Sequence, residues 1–269
     1  MKGLATNSTV DSTYPINADR LGDLLLNDGR YELRYVRSLV ELDRVLRLRY
    51  EVFNLELGEG LEESHATGKD EDEFDRFCHH LMVTERRSGR VIGTYRLQTI
   101  EMARAHRGLY TDREFVLSEL PAEILDRGVE LGRACIAKDH RNRRPLFLLW
   151  KGLAHYMRTN GKRYLFGCSS LTSQDIAAGY SLLDEMRRKG QVDDSHFAPV
   201  REPYALAFDG RSVTPPEVPT LFRTYLRYGA KVCGGPAIDR EFKTIDFLAV
   251  LDLERLDTRT IAVFFGGLG

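Results

Sequence analysis

A strand-like run, Val129-Glu130-Leu131-Gly132-Arg133-Ala134-Cys135-Ile136-Ala137, carries an acid and an arginine at its centre. Charges inside an apolar strand are costly unless they are paired or used. The run empties into a basic turn, Lys138-Asp139-His140-Arg141-Asn142-Arg143-Arg144-Pro145. Pro145 suits the first turn of a helix, so these cations stand where free backbone N–H groups attract phosphate. The pattern predicts an enzyme with a general base beside a phosphate-bearing donor.

The elements that must hold this pair follow from periodicity and turn chemistry. Residues 31–37 alternate Tyr31, Leu33 and Tyr35 on one face of a strand. Ser38 caps a helix whose apolar stripe runs Leu39, Leu42, Leu46 and Phe53, with Val45, Leu48 and Val52 beside it. An acidic loop over 58–75 leads to a hairpin of 80–85 and 91–98 that turns at Ser88-Gly89. A short helix is expected over 111–120, stopped by Pro121. The strand 129–137 then feeds a helix over 145–160 ended by Gly161, and a strand over 164–168. Thr172-Ser173-Gln174-Asp175 reads as a capping box for a helix to about 188. Residues 204–208 are strand-like, 219–228 helical, and 244–253 a last apolar strand. The order predicts an α/β fold with a mixed sheet and helices on both faces. It lacks the regular βαβ alternation and the GxGxxG turn of a dinucleotide fold.

The 269 residues divide into an expected disordered or weakly structured tail, 1–28, and one domain, 29–269, elaborated from about 190. A formal charge of −1 gives no basic field for nucleic acid. Cys78, Cys135, Cys168 and Cys233 lie far apart, without metal-ligand spacing, and read as buried reduced thiols; no metal is expected. No apolar run reaches the length of a membrane span. These features predict a cytoplasmic protein. Peripheral contact with the inner membrane face stays open, because Leu21, Leu24, Leu25 and Leu26 could form a small apolar face.

Five charged segments recur in one order: Arg49-Tyr50-Glu51-Val52-Phe53, Asp70-Glu71-Asp72-Glu73-Phe74-Asp75, Gly93-Thr94-Tyr95-Arg96-Leu97, Glu130-Leu131-Gly132-Arg133 and the basic turn. They resemble the acyl-homoserine-lactone synthases and their relatives in the GNAT-like superfamily. Further segments bring the chain nearer to the ornithine lipid biosynthesis acyltransferases. These are Leu148-Leu149-Trp150, Leu165-Phe166-Gly167-Cys168-Ser169-Ser170, Tyr225-Leu226-Arg227-Tyr228-Gly229-Ala230 and Pro236-Ala237-Ile238-Asp239-Arg240-Glu241-Phe242. The resemblance spans roughly 31–253. It implies a GNAT-like, mostly antiparallel sheet and transfer of a (3-hydroxy)fatty acyl group from acyl carrier protein to the α-amine of L-ornithine, forming lyso-ornithine lipid. Acylation of another amino acid, lactone synthesis and a non-catalytic carrier-binding module are the rival readings.

Within that reaction Glu130 is the expected base, with His80 (beside His79) as the alternative. Arg133 or Arg96 would hold a carboxylate, and Asp72 and Asp75 a side-chain ammonium. Lys138, Arg141, Arg143 and Arg144 would bind the donor phosphate, and Ser169 and Ser170 its pantetheine amides or the next helix start. The turn Arg141-Asn142-Arg143-Arg144-Pro145-Leu146 has no glycine to wrap a diphosphate. That favours the single phosphate of acyl-4'-phosphopantetheine on an acidic carrier over coenzyme A, with no resident cofactor. Against all these roles stands a purely structural one, in which Arg49, Asp72, Asp75, Arg96, Glu130 and Arg133 form a buried ionic network ordering the loop 58–75. Strand parity sets Glu130 and Arg133 on opposite faces unless a bulge intervenes near Gly132.

Overall fold

Short turns between alternating strands produce an antiparallel frame, seen in a computed structural model that describes residues 14–266 apart from 206 and 209. The strands are β1 (Leu25–Asn27), β2 (Tyr31–Tyr35), β3 (His79–Glu85), β4 (Val91–Thr99), β5 (Gly128–Ile136), β6 (Tyr164–Leu171), β7 (Lys231–Val232), β8 (Ala237–Asp239) and β9 (Thr244–Asp252). They form one sheet in the order β1-β2-β3-β4-β5-β6-β9-β7, with β8 also paired to β9. Every pairing is antiparallel except β5 with β6.

The helices are α1 (Leu39–Tyr50), α2 (Ser64–Thr67), α3 (Ile100–Ala105), α4 (Ala122–Asp126), α5 (Arg143–Thr159), α6 (Ile176–Arg188), α7 (Thr220–Arg227) and α8 (Thr258–Phe265). The Ser38 hydroxyl accepts the Glu41 N–H at the start of α1. That helix continues as π-helical turns, Glu51–Leu57, and stops at Gly58 with φ of +68°. Two opposite faces of the sheet are covered. Arg49 of α1 meets Asp75, which binds His80 and Arg96, a cross-strand pair of β3 and β4. On α5, Leu149 lies over Gly93, and Gly152 lies against Leu33 and Leu81. Leu81 pairs with Tyr95, one step along from His80 and Arg96, so alternation turns it to the other face.

Several expectations are corrected. Residues 111–120 form two 3-10 turns, Thr111–Arg113 and Leu117–Glu119, because fully buried Phe115 bridges to Val200 between them. Tyr204 belongs to a turn, its N–H bonded to Arg201 O at 2.8 Å, instead of a strand over 204–208; position 206 lies outside the described residues. Asp175, not Thr172, caps α6 by accepting the Ala177 N–H. The first 13 residues of the expected tail lie outside the described part. From Tyr14 onward the chain is packed: Leu21 is fully buried, Arg20 O accepts from Asn160, and Leu25 to Asn27 add a strand. Of the four leucines offered as an apolar face, only Leu25 is exposed, since Leu21 and Leu24 belong to the core and Leu26 is half-buried.

Candidate active site

β5 and β6 begin as parallel neighbours, and their ladder ends where Glu130 faces Phe166. At the next residue, Gly167, a Cβ would stand 2.3 Å from Leu131 O, so only glycine lets the strands pass there. A cavity of about 760 Å³ opens between residues 132–136 of β5 and 167–170 of β6. On the other edge of β5, Thr94 faces Cys135 and Arg96 faces Gly132, which leaves Arg133 and Ala134 opposite Tyr95 alone. Two residues against one make a bulge, and Arg133 takes φ of +49° within it. The bulge resets the alternation, so Arg133 reaches the same acidic cluster as Arg96.

That cluster sets three guanidiniums against three carboxylates. Arg49 bonds Asp70 through Nε at 2.8 Å and through Nη2, and bonds Asp75 at 2.5 Å. Arg96 Nη1 reaches both Asp72 oxygens at 2.6 Å and Asp75 at 3.1 Å; Arg133 Nη2 reaches Asp72 at 3.2 Å. Burial alone would raise the Asp75 carboxyl, but Arg49 and Arg96 override it and hold it well below the usual range. Arg49 and Asp75 are wholly buried, bonded to each other and outside the cavity lining, which leaves them as parts of the network. Asp72 is engaged by both Arg96 and Arg133 and also stands outside the lining. His80 is fully buried, its ring nitrogens engaged by Tyr14 OH at 2.8 Å and Asp75 at 3.3 Å. Burial depresses its pKa against the pull of Asp75, and it too stands outside the cavity lining with both ring nitrogens engaged.

Glu130 does line the cavity. Its Oε1 accepts the Thr111 N–H at 2.7 Å and its Oε2 the Tyr110 N–H at 3.1 Å, anchoring the turn that starts there. Burial raises its pKa, with the bonds from Thr111 pulling the other way. Arg133 also lines the cavity, its guanidinium 3.9 Å above the Phe242 ring. Of the basic turn, Arg141, Asn142 and Arg143 reach the cavity mouth, as do Ser169 and Ser170 from β6. Arg141 is held by Glu56 through two bonds of 2.6 and 2.8 Å. Lys138 and Arg144 stand elsewhere: the first borders a separate shallow depression, and the second pairs with Asp28 at 2.8 Å. Both serines lie in β6 itself and do not start α6.

Helices supply apolar walls through Val52, Phe53, Leu146, Leu149, Leu221 and Phe222. The sheet and the 110–113 turn supply Arg96, Tyr110, Glu130, Arg133, Thr244 and Asp246. An apolar volume beside a few converging polar groups is the ordinary form of a small-molecule site. Sequence reasoning missed Asp246 and its neighbour Glu114. Burial pushes Asp246 up to about 6, and burial with Asp246 and Asp239 nearby pushes Glu114 well up. The signal was present: Asp246 interrupts an apolar strand just as Glu130 does.

Residues 48–151 match the acetyltransferase (GNAT) domain family. With the parted strands and the bulge beside them, this makes the protein an N-acyltransferase of the GNAT-like class. The chain is 30% identical to an L-ornithine N(alpha)-acyltransferase of Brucella abortus (strain 2308), over 98% of this chain and 97% of that protein. It is 32% identical to one of Rhodobacter capsulatus, over 85% and 92%. The chain belongs to the L-ornithine N(alpha)-acyltransferase family. Among solved structures it superposes on the acyl-homoserine-lactone synthase LasI with a TM-score of 0.48, at 13% identity over 92% of this chain and 98% of the other.

Proposed function

We propose that the protein moves a long, 3-hydroxylated acyl chain from acyl-4'-phosphopantetheine on acyl carrier protein to the α-amine of L-ornithine. The observation that carries this is the cavity between β5 and β6, where apolar helix walls suited to an acyl chain meet Glu130 and Arg133. The relatives' activity supports the acceptor. In this reading the pantetheine arm lies between the parted strands, with its phosphate at Arg141 and Arg143 and its amides near Ser169 and Ser170. Glu130 takes a proton from the α-ammonium, directly or through a water. The freed amine attacks the thioester carbonyl, and backbone N–H groups near Ala134 stabilise the oxyanion. The C–N bond forms, the C–S bond breaks, and a proton goes to the departing pantetheine thiol. Arg133 orients the substrate carboxylate.

Among the described residues no helix is long and apolar enough to cross a membrane. Work in the cytoplasm, with the product released at the inner membrane face, fits this mechanism. The test supplies purified protein and L-ornithine with 3-hydroxyacyl carrier protein or the matching coenzyme A thioester. Mass spectrometry should find N-acylornithine formed far faster from the carrier. Equal rates would remove the carrier, and an acetylated product would remove the long-chain donor.

A further inference from the structure

One corner of the cavity holds acidic groups that the acyl transfer step does not use. Glu114 is fully buried just behind the lining residues Cys168 and Asp246, and beyond those two side chains neither of its carboxylate oxygens has a hydrogen-bond partner. Asp246 is 3% exposed, lines the cavity, and leaves Oδ1 equally without a partner. One carboxylate oxygen of each and Cys168 Sγ lie within 4.8 Å of one another. Asp239 stands close behind, tied by the Tyr110 hydroxyl at 3.3 Å. Buried carboxylates without a counter-ion are costly, and orphaned polar atoms in a native core call for an explanation. The neighbouring guanidiniums do not provide it, since Arg49 and Arg96 pair with Asp70, Asp72 and Asp75, and Arg133 leans on Asp72 while facing the cavity.

We propose that Glu114 and Asp246 form the subsite for a second, side-chain ammonium of the acyl acceptor, so that the enzyme selects a diamino acid. This deepens, and rests on, the reading of L-ornithine as acceptor. The corner adjoins the reacting centre: Glu130 accepts the Thr111 N–H, and Thr111 Oγ1 stands 3.9 Å from Cys168 Sγ. An extended amino acid thus presents its α-amine to Glu130 and its side chain to the acidic pair. An ammonium carries three donors, and Glu114 and Asp246 leave three oxygens unpartnered. Asp72 and Asp75, the acids expected for this task from sequence, are satisfied by arginines instead.

The test compares kcat/KM for L-ornithine with that for L-norvaline, which has the same carbon chain without the second amine. Wild type should favour ornithine strongly. Glu114→Gln and Asp246→Asn, which keep side-chain volume, should each cut that preference by roughly 10²-fold, the worth of a charged hydrogen bond in a buried site. Thermal melts of both variants read folding independently. A preference that survives both substitutions in folded protein overturns the subsite alone. A wild type that acylates norvaline but not ornithine overturns the acceptor reading as well. One equivalent of metal retained through dialysis would overturn the subsite alone, by giving the carboxylates an ion.

Discussion

Glu130 serves two demands with one carboxylate, and the two can be separated. It lines the cavity while accepting two backbone N–H groups of the 110–113 turn. In Glu130→Gln one of those N–H groups faces an amide NH2, which should cost about 1–3 kcal/mol of stability. As the base it should also lose about 10²–10⁴-fold in kcat, measured well below the melting temperature. A kcat that holds while the melting temperature falls would leave Glu130 as a turn anchor only. The acidic pair gives the opposite pH signature to a salt-bridged acid. Glu114 and Asp246 have folded pKa values above their unfolded ones, so the folded state holds more protons. Their contribution is complete below about pH 4. It drains away as pH rises through about 6 for Asp246, and the raised Glu114 carboxyl acts in the same direction. Asp246→Asn should therefore flatten the fall of stability between pH 5 and 8. At pH 8 it should be about 2–3 kcal/mol more stable than wild type by urea titration. An unchanged pH slope would mean the carboxylate is not strained in the fold.

At the scale of elements, the network of Arg49, Asp70, Asp72, Asp75, Arg96 and Arg133 joins α1, the loop before β3, β4 and β5 into one unit. A buried pair adds little net stability when complete, yet removing one partner strands the others. Arg49→Met should cost about 3–5 kcal/mol in urea denaturation and loosen the loop 58–75 to protease. A loss below about 1 kcal/mol would show that Asp70 and Asp75 find other partners or neutralise. Gly167→Ala tests the parting of the strands, because its Cβ would meet Leu131 O at 2.3 Å. Backbone must shift, so both stability and acyl transfer should fall, with about 1–3 kcal/mol lost in urea. Near wild-type activity would mean β6 need not pass Leu131 so closely. The charges of this unit were legible because they break apolar patterns. Which of them serve structure was not, since Glu130 and Arg133 share a site only through the bulge at Arg133. The helix expected over 111–120 failed for a related reason: Phe115 and Glu114 are drawn into the interior, which no local propensity records. Short pieces such as β7 and β8 exist only because β9 is there to pair with them.

Over the whole molecule charge is nearly balanced, 39 basic residues against 40 acidic, so attraction of an acidic carrier must come from local placement. The order of elements around the basic turn was readable from Pro145 and Gly161, but which cations face the cavity depends on distant partners. Asp28, beyond β1, claims Arg144, and Glu56 of the π-helical turns claims Arg141. Arg143 is exposed at the cavity mouth, and no ion pair to it is found among the described residues. It is the cation best placed to meet a phosphate arriving on a carrier. Arg143→Glu replaces attraction with repulsion at one point while leaving both neighbouring ion pairs intact. The expected result is a rise of about tenfold in KM for acyl carrier protein, with kcat nearly constant. Wild-type KM should also climb as salt rises from 50 to 300 mM, and the variant should respond less, since surface charges are screened over about 10 Å at 0.1 M. An unchanged KM and an unchanged salt response would move the docking surface away from the start of α5.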